Sequence, residues 1–329
     1  MTNDTITGPN DIHRATPRPA PQPARAIRLG TRQSPLALAQ AEETRARLCA
    51  AHGWPDTAVE LVPVVASGDR IQDRPLADIG GKALWTKELD VWLAEGFIDA
   101  AVHSMKDVET VRPDTLIIAA VLPRADVRDV LVGAGSIVAI PTGARVGTSA
   151  PRRAAQMLNA RPDLTIVGMR GNVATRLAKL KRGDADVTLL AAAGLERLGQ
   201  SAIGTALDPA AWLPAAAQGA IGIECLAART DLRAVFAMID HAPSHAAIRA
   251  ERALLAGLGG TCYSPIAVLT SHDGDTLHLA AALFSPDGAH RVEITGTVPI
   301  ANPEAAERLA AGLLDRAPAQ IRDYFHGRH

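Results

Sequence analysis

Residues 26–53, AIRLGTRQSPLALAQAEETRARLCAAHG, contain the unit from which the rest of the fold can be predicted. Residues 26–30 are mostly apolar and predict a buried strand. Ser34 is a favoured helix N-cap, Pro35 suits the first helical turn, and Gly53 is a favoured residue just after a helix. A short strand that leads through a turn into a long helix is typical of α/β proteins.

The same alternation of short apolar runs and helical patterns continues to about residue 240. We predict helices at residues 84–95, from Pro151 onward, and from Asn172 to Gly183. The predicted strands are residues 59–65, 100–103, 116–122, 144–146, 164–168, 186–192 and 220–225. This part of the sequence therefore predicts an α/β fold.

The pattern changes after residue 240. A helix is predicted over residues 243–256, ending at Gly257, and another over about 303–317. Between them, residues 265–271, 277–284 and 291–295 alternate apolar and polar side chains. The dipeptides that separate these strands are hairpin signals, Asp273-Gly274 and Asp287-Gly288. The tail thus predicts a small α+β domain.

Composition limits the class of protein. The 329 residues include 34 Lys and Arg against 35 Asp and Glu, a net charge of −1, and only 3% are aromatic. Both values disfavour a nucleic-acid binder. The three cysteines, Cys49, Cys225 and Cys262, suit neither a disulfide framework nor a zinc site, and they favour a reducing compartment.

No apolar run is long enough to span a membrane. Residues 1–25 contain five prolines and lack the apolar stretch of a secretory signal. We therefore expect a disordered Pro-rich tail at 1–25, no membrane association, and a cytoplasmic protein.

Basic residues recur where predicted strands end and predicted helices begin. Loops at the carboxyl ends of strands form the ligand crevice in open α/β sheets, and cations are unfavourable at a helix N-terminus. An anionic ligand with several carboxylates or phosphates would resolve this conflict; the alternative is scattered surface salt bridges. For the whole set we favour the cleft. The set is Arg32, Lys82, Lys106, Arg152, Arg153, Arg170 and Arg176.

Asp107 is the candidate for acid–base chemistry. It ends the polar segment 103–107, HSMKD, directly after a predicted buried strand, where a carboxylate can shuttle a proton or stabilise a cation. The alternative, which composition alone favours, is a turn cap. Asp126 and Asp129 also follow a strand, but the arginines around them suggest salt bridges.

Cys262 is the candidate for covalent chemistry. It lies in the segment 257–265, whose glycines and proline exclude regular structure, and a thiol in a mobile loop is well placed to react. Cys49 falls in a helical pattern and Cys225 in an apolar strand. Both are predicted to be buried structural thiols.

Taken together, these motifs resemble the porphobilinogen deaminase family. Several motifs in the same order are more specific than any one alone, whereas the last 60 residues or so match only in character. The matches are 30–37 (GTRQSPLA), 80–82 (GGK), 101–107 (AVHSMKD), 146–149 (VGTS), Arg152-Arg153, 170–173 (RGNV) through Arg176, 193–195 (AGL), 218–220 (QGA) and 259–265 (GGTCYSP).

The resemblance implies a function and a cofactor. Enzymes of this family are transferases that join four porphobilinogen molecules head to tail into hydroxymethylbilane and release four ammonia molecules. Each chain carries a covalent dipyrromethane cofactor, bound by a thioether to the cysteine that corresponds to Cys262, and the catalytic aspartate corresponds to Asp107. Each pyrrole bears an acetate and a propionate, which would account for the basic cleft.

The resemblance also implies binding positions, and no metal. Besides Cys262, those for the cofactor are Lys82, Ser104, Lys106, Asp107, Thr148, Ala150, Arg152, Arg153, Arg170 and Gly171. Those for the substrate are Arg32, Ser34, Trp85, Arg153, Arg170, Arg176 and Gln218. Trp85 stands where phenylalanine is usual, and both stacking on a pyrrole and core packing remain open for it. Ala150 stands where serine is frequent.

The family fold implies two binding-protein-like α/β domains around a cleft and a third domain with the cysteine loop. We expect domain 1 at 26–123 and 220–240, domain 2 at 124–219 and domain 3 at 241–329. A monomer is expected, with porphobilinogen and the growing pyrrole chain as partners. The rival hypothesis, a non-catalytic two-lobed binding protein for an anionic small molecule, predicts the cleft but neither Cys262 nor the third domain.

Overall fold

Three β-sheets organise the chain. The computed structural model describes residues 18–64, 83–260 and 264–325, and over these ranges it contains two five-stranded mixed sheets and a three-stranded antiparallel sheet. The predicted fold class is confirmed. Among the described helices, none is both long and apolar enough to cross a bilayer.

The first sheet combines parallel strands with one returning strand. Its strands are β1 (Ile27–Arg32), β2 (Val59–Val64), β3 (Ala100–Ser104), β4 (Leu116–Val121) and β10 (Ile221–Leu226). The order is β2-β1-β3-β10-β4, with β1 parallel to β2 and β3 and with β10 antiparallel between β3 and β4. The chain therefore re-enters this sheet after it has completed the second one.

Helix α1 (Pro35–His52) begins and ends where the sequence predicts. The Ser34 hydroxyl accepts a hydrogen bond from the Ala37 amide at 3.3 Å, and Gly53 ends the helix with a φ of 69°. A left-handed residue at this position satisfies the last helical carbonyls, and glycine adopts it without strain.

Helices cover both faces of the first sheet. Ala100 and Val102 of β3 pack in the apolar cluster beneath α1, which α6 (Thr230–Phe236) also joins. Ala101 packs instead with Leu89 of α2 (Ala83–Ala94). Because successive residues of a strand point to opposite faces, this alternation places β3 in the centre of the domain.

The second sheet repeats this arrangement with shorter strands. Its elements are β5 (Asp129–Val132), β6 (Arg145–Gly147), α3 (Pro151–Ala160), β7 (Thr165–Val167), α4 (Val173–Lys181), β8 (Val187–Ala191), α5 (Ala192–Arg197) and β9 (Thr205–Ala206). The order is β7-β6-β8-β5-β9, in which β6 is parallel to β7 and β8. Asn172 caps α4, as predicted, by accepting a hydrogen bond from the Thr175 amide.

The third sheet is a meander joined to helices. Its strands are β11 (Ile266–Asp273), β12 (Thr276–Phe284) and β13 (Arg291–Pro299), and its helices are α7 (Ala242–Leu258), α8 (Glu307–Arg316) and α9 (Ala319–Arg322). The hairpins turn at the two predicted Asp-Gly pairs. Residues 303–306, predicted as the start of the last helix, form a 3-10 turn instead.

The predicted end of α7 at Gly257 is wrong. The helix continues to Leu258, and Gly259, with a φ of 59°, ends it. Gly257 is instead a packing residue, because a Cβ there would lie 2.8 Å from the Glu307 side chain and 2.9 Å from Ala310 on the facing segment. A glycine inside a helical pattern thus marked close helix packing rather than a stop.

Two segments connect the first and second sheets, residues 123–128 and 215–220, which we call the crossover. The Ala125 amide donates to the Gly219 carbonyl at 3.3 Å, and the Gln218 side chain donates to the Val127 carbonyl at 2.7 Å. Gly219 has a φ of 84°, and a Cβ there would lie 2.6 Å from the Ala125 oxygen. The two segments therefore run in direct contact.

Glu251, which lies on α7 in the third domain, binds both segments of the crossover. Its fully buried carboxylate accepts hydrogen bonds from Arg124 at 2.7 and 3.1 Å and from the Ala217 amide at 2.6 Å. One side chain thus fastens both connecting segments, and Ala217 is held there with a positive φ of 58°.

Candidate active site

The turn after β3 presents Lys106 and Asp107. Residues Met105–Asp107 form a single 3-10 turn, and Met105 is fully buried at its base. The neighbouring Gly222 makes room for it, because a Cβ at that position would lie 2.1 Å from the Met105 sulfur. With Met105 anchored, the side chains of Lys106 and Asp107 remain half-buried on the other side of the turn.

His103 lies below this turn and belongs to a buried network. Its Nε2 lies 3.1 Å from a carboxylate oxygen of Glu224, which also accepts two hydrogen bonds of 2.9 Å from Arg112. Burial would raise the pKa of Glu224, but the bonds from His103 and Arg112 lower it to about 2. This network supports the strand that leads to Asp107.

Asp129 is the centre of the opposite wall. It is fully buried and accepts hydrogen bonds from Arg152 and Arg153, each at 2.7 Å, and from Trp212 and Gln218, each at 2.9 Å. Burial opposes ionisation, yet the two guanidinium groups hold the pKa of Asp129 well below its usual range. The chain therefore supplies its own anion at the start of α3.

This geometry corrects the electrostatic argument for Arg152. We expected an external anion to pair with the two arginines, whereas Asp129 pairs with both of them from inside the protein. The Arg152 guanidinium also donates to the Gln156 side chain at 2.7 Å and to the Leu213 carbonyl at 3.0 Å. Arg152 is buried within the wall, and Gln218 likewise divides its amide between Asp129 and the Val127 carbonyl.

Arg153 differs from Arg152 in one respect. Its terminal nitrogens donate to Asp129 and to the Leu189 carbonyl, each at 2.7 Å. Its Nε is buried and has no hydrogen-bond partner among the described residues. An unsatisfied buried donor costs free energy, so this atom is a suitable contact for an anionic ligand.

Lys106 and Arg176 connect the two walls electrostatically. Burial lowers the pKa of Lys106 to about 8, with Arg153 and Arg176 acting in the same direction and Asp107 and Asp129 against it. Burial, with Arg153 and Arg170, lowers the pKa of Arg176 to about 10, against the opposing effect of Asp107. The structure therefore brings Lys106 and Asp107 of the first domain together with Arg153, Arg170 and Arg176 of the second.

Several other predicted positions use their polar groups within the protein. Ser34 caps α1, and Ser104 exchanges hydrogen bonds of 2.8 and 3.1 Å with Gln40. The Thr148 hydroxyl accepts from the Ala150 amide at 3.1 Å, and Ala150 is the N-cap of α3 without a side-chain cap bond.

The remaining predicted positions are Gly171, Arg32 and three that lie in or beside segments outside the described residues, namely Lys82, Trp85 and Cys262. Gly171 has a φ of 115°, and its carbonyl accepts from Arg176 Nε at 2.9 Å. Arg32 ends β1 and is half-buried. Lys82 and Cys262 lie outside the described residues, and Trp85 lies in α2 with its side chain outside them. Their predicted roles stay predictions.

The other two cysteines are confirmed as buried. Cys49 is 6% exposed and Cys225 is fully buried. Burial raises the pKa of both thiols, that of Cys225 to about 11. Thiolates are the reactive form, so neither cysteine is suited to covalent chemistry.

Sequence reasoning missed the contacts of Asp129, because its partners are far away along the chain. The expected local salt bridge does form between Asp126 and Arg128. Asp129, however, pairs with α3, and Arg124 pairs with Glu251, 127 positions later. The only local signal for Asp129 was an acidic residue that starts an otherwise apolar run.

Comparisons with known proteins cover nearly the whole chain. A family profile described as "Porphobilinogen deaminase, dipyromethane cofactor binding domain" matches residues 27–234, and one described as "Porphobilinogen deaminase, C-terminal domain" matches residues 245–315. A relative named porphobilinogen deaminase from Sphingopyxis alaskensis is 55% identical over 309 residues, 92% of this chain and 98% of its own.

A second relative of that name, from Paracoccus denitrificans, is 47% identical over 308 residues, 92% of this chain and 98% of its own. Among solved structures, the second substrate binding domain of a putative amino acid ABC transporter from Streptococcus pneumoniae is similar over 65% of this chain and 90% of that one. The identity there is 11% and the TM-score 0.40.

The different surroundings of Arg152 and Arg176 predict different consequences of the same substitution. Arg152→Lys should lower the free energy of unfolding by about 2–3 kcal/mol, because an ammonium cannot span Asp129, Gln156 and the Leu213 carbonyl. Arg176→Lys should change stability little and raise KM by about tenfold, the effect of roughly one lost charge-assisted contact. Urea unfolding and steady-state kinetics measure both. If Arg152→Lys instead left stability unchanged and raised KM, Arg152 would be a ligand-binding residue and not a structural part of the wall.

The lowered pKa of Lys106 predicts opposite effects of pH on binding and on stability. An anionic ligand favours the charged amine, so KM should rise between about pH 7 and pH 9 as Lys106 loses its proton near pH 8. Between about 8 and 10.5 the unfolded chain binds more protons at this lysine than the folded one, so its contribution to stability increases with pH. Lys106→Met should lack both contributions. A pH-independent KM in the unsubstituted enzyme would contradict this assignment.

Proposed function

Since the chain belongs to the porphobilinogen deaminase family, we propose that its cleft condenses four porphobilinogen molecules into hydroxymethylbilane with Asp107 as the catalytic carboxylate. The reaction releases four ammonia molecules and makes the protein a transferase of tetrapyrrole biosynthesis. One observation supports this use of the cleft above all. A carboxylate of the first domain, Asp107, lies within electrostatic reach of Lys106 and Arg176. Arg153 lies within reach of both cations, and Arg170 within reach of Arg176.

The residues present fit a dipyrromethane cofactor. Two linked pyrroles carry four carboxylates, and the described residues include four cations in one cluster with Asp107, namely Lys106, Arg153, Arg170 and Arg176. The buried Nε of Arg153 is a donor without a partner in the described structure. When bound, the cofactor supplies the free pyrrole α-carbon at which the chain is extended.

Cys262 is the proposed attachment point. Helix α7 ends at Leu258, so that the cysteine follows four residues later, and the other two cysteines are buried away from solvent. Arg32, Ser34, Trp85, Arg170, Arg176 and Gln218 complete the proposed substrate set. Of these, Arg170 and Arg176 have the strongest support, because their charges act directly on the cluster around Asp107.

The protein's part in the chemistry is electrostatic. Porphobilinogen would lose ammonia to give an azafulvene-type cation, the bound pyrrole chain would supply the carbon nucleophile, and a ring proton would then be released. The carboxylate of Asp107 accepts the pyrrole N–H hydrogen bonds and stabilises the positive charge, most strongly where water is excluded. Arg153, Arg170, Arg176 and Lys106 hold the acetate and propionate groups and so orient the reacting carbons.

We further propose the division into domains at 26–123 with 220–240, 124–219 and 241–329. The position of β10 between β3 and β4 supports the return of the chain to domain 1. The protein acts as a cytoplasmic monomer in this proposal, and the sparse, odd set of three cysteines is consistent with a reducing compartment. The rival hypothesis of a non-catalytic binding protein is not favoured, because both family profiles and the named relatives are those of an enzyme.

Intact-protein mass spectrometry tests the cofactor attachment. The purified protein should exceed its sequence mass by one dipyrromethane unit, and Cys262→Ser should lose that increment because the thioether cannot form. The matched controls are Cys49→Ser and Cys225→Ser, which should keep it because both thiols are buried. Active protein at the bare sequence mass would exclude a covalent cofactor.

Asp107→Asn tests the catalytic carboxylate. The substitution keeps the shape of the side chain and removes its charge, so turnover should fall by about 10²-fold or more while folding is retained. Because the cofactor is built by the same chemistry, it should first be supplied to the variant as preformed tetrapyrrole. Asp107→Glu should retain some activity, since the charge survives in a shifted position. Near-normal turnover by reconstituted Asp107→Asn would leave the catalytic group unidentified.

A further inference from the structure

Helix α7 makes a second polar contact next to Glu251. The guanidinium of Arg252 donates to the carbonyls of Glu109 at 2.6 Å and Thr110 at 2.8 Å, with a longer contact of 3.5 Å to Val108. These three carbonyls follow Asp107 directly along the chain. Arg252, in the third domain, therefore holds the backbone that follows the turn Met105–Asp107, which we call the catalytic turn after the role proposed for Asp107.

The rest of this interface leaves room behind the turn. Ile248, one turn earlier on α7, packs with Met105 and Val108 in a small apolar cluster. Beside that cluster lies a cavity of about 240 Å³ lined by Met105, Ile248, Arg252 and neighbouring residues. The back of the turn is thus only partly filled by side chains, and Arg252 connects the backbone after it to α7 by hydrogen bonds.

Arginine is the residue that this arrangement requires. A planar guanidinium can donate to several carbonyls that diverge from one stretch of backbone, whereas an ammonium acts as a single point. Burial, with Arg112, lowers the pKa of Arg252, and Glu224 and Glu109 oppose this shift without reversing it. Nearby carboxylates thus favour the charged form of the Arg252 guanidinium, while its N–H groups donate to backbone carbonyls.

The contact between Arg252 and the backbone after Asp107 is relevant to the reaction because the pyrrole chain grows in the cleft. Helix α7 ends at Leu258, from which the segment with Cys262 departs, and it holds the crossover through Glu251 and the catalytic turn through Arg252. Catalytic groups must be held within about 0.5 Å of their productive geometry. In each round the terminal pyrrole has to reach the same carboxylate, although its attachment point is on another domain.

We propose that Arg252 is a positioning residue that holds the backbone after Asp107, and thereby the Asp107 carboxylate, in register with the helix that leads to the cofactor segment. This inference rests on the proposed role of Asp107. It predicts that the loss of Arg252 affects the chemical step more than the binding of substrate, because Lys106, Arg153, Arg170 and Arg176 remain in place.

Arg252→Gln tests the proposal, with Arg249→Gln as a matched control. Arg249 lies one turn earlier on the same helix, in an exposed ion pair with Glu304. We expect Arg252→Gln to carry its cofactor, to lower kcat by about 10–100-fold with KM within about twofold, and to accumulate partly elongated adducts in intact mass spectra. Arg252→Lys should recover only part of the loss, and Arg249→Gln should behave as the unsubstituted enzyme.

Hydrogen–deuterium exchange gives a readout that is independent of turnover. Peptides that cover residues 105–112 should exchange faster in Arg252→Gln than in Arg249→Gln, while peptides from the second sheet should be unchanged. Faster exchange throughout the protein would indicate a general loss of stability and would overturn the positioning role, as would a normal kcat.

A double-mutant cycle identifies the group through which Arg252 acts. If Arg252 acts through Asp107, Arg252→Gln should slow turnover much less in the Asp107→Asn variant than in the unsubstituted enzyme. The reason is that the effects of coupled residues are not additive. Fully multiplicative losses would overturn the proposal. Failure of the proposed function is a separate outcome, since it would appear as normal turnover in Asp107→Asn whatever the effect of Arg252→Gln.

Discussion

The wall of the cleft depends on one buried carboxylate whose hydrogen bonds go to four side chains of the protein. Asp129 is fully buried and holds two arginines, a tryptophan and a glutamine in fixed positions. Loss of a buried partner leaves charges unpaired and typically costs about 3–5 kcal/mol. Because Asp129 neutralises one of the two arginines from within, the wall can be strongly basic on its surface without an unbalanced interior. The half-buried cations Lys106, Arg170 and Arg176 lie outside this pairing, in the cluster around Asp107.

The same device recurs in each domain. Glu224 in the first sheet and Glu251 on α7 are also fully buried carboxylates, paired with Arg112 and Arg124. Glu224 supports the strand below the catalytic turn, Asp129 orients the opposite wall, and Glu251 fastens the crossover between them. Buried ion pairs add little net stability, but their directional bonds allow few alternative arrangements. Three such pairs therefore define how the walls of one cleft are placed.

Local sequence signals predicted the elements well and their long-range pairing poorly. Ser34, Pro35 and Gly53 act within one helix, so their meaning can be read from neighbouring residues, and α1 has the predicted bounds. The helix end predicted at Gly257 was wrong, because this glycine is needed for close packing against another helix about 50 positions later in the chain. The family motifs predicted that Asp107 and Arg176 belong to one site, and the structure places them in one cluster. Salt bridges were expected for Asp129, but with nearby arginines, and no motif indicated Glu251 or Arg252. Those contacts arise only when separate segments meet.

The place of β10 has a consequence for how the molecule is made. β10 lies between β3 and β4, so these two strands cannot be joined into one sheet until residue 226 has left the ribosome. The second sheet, by contrast, is built from one uninterrupted segment and is free to fold earlier during synthesis. Until β10 arrives, β3 presents an open edge of backbone donors and acceptors, which is the kind of surface that pairs with other chains. The first sheet is thus completed only after all strands of the second sheet have been synthesised, and its open edge is exposed to other chains until then.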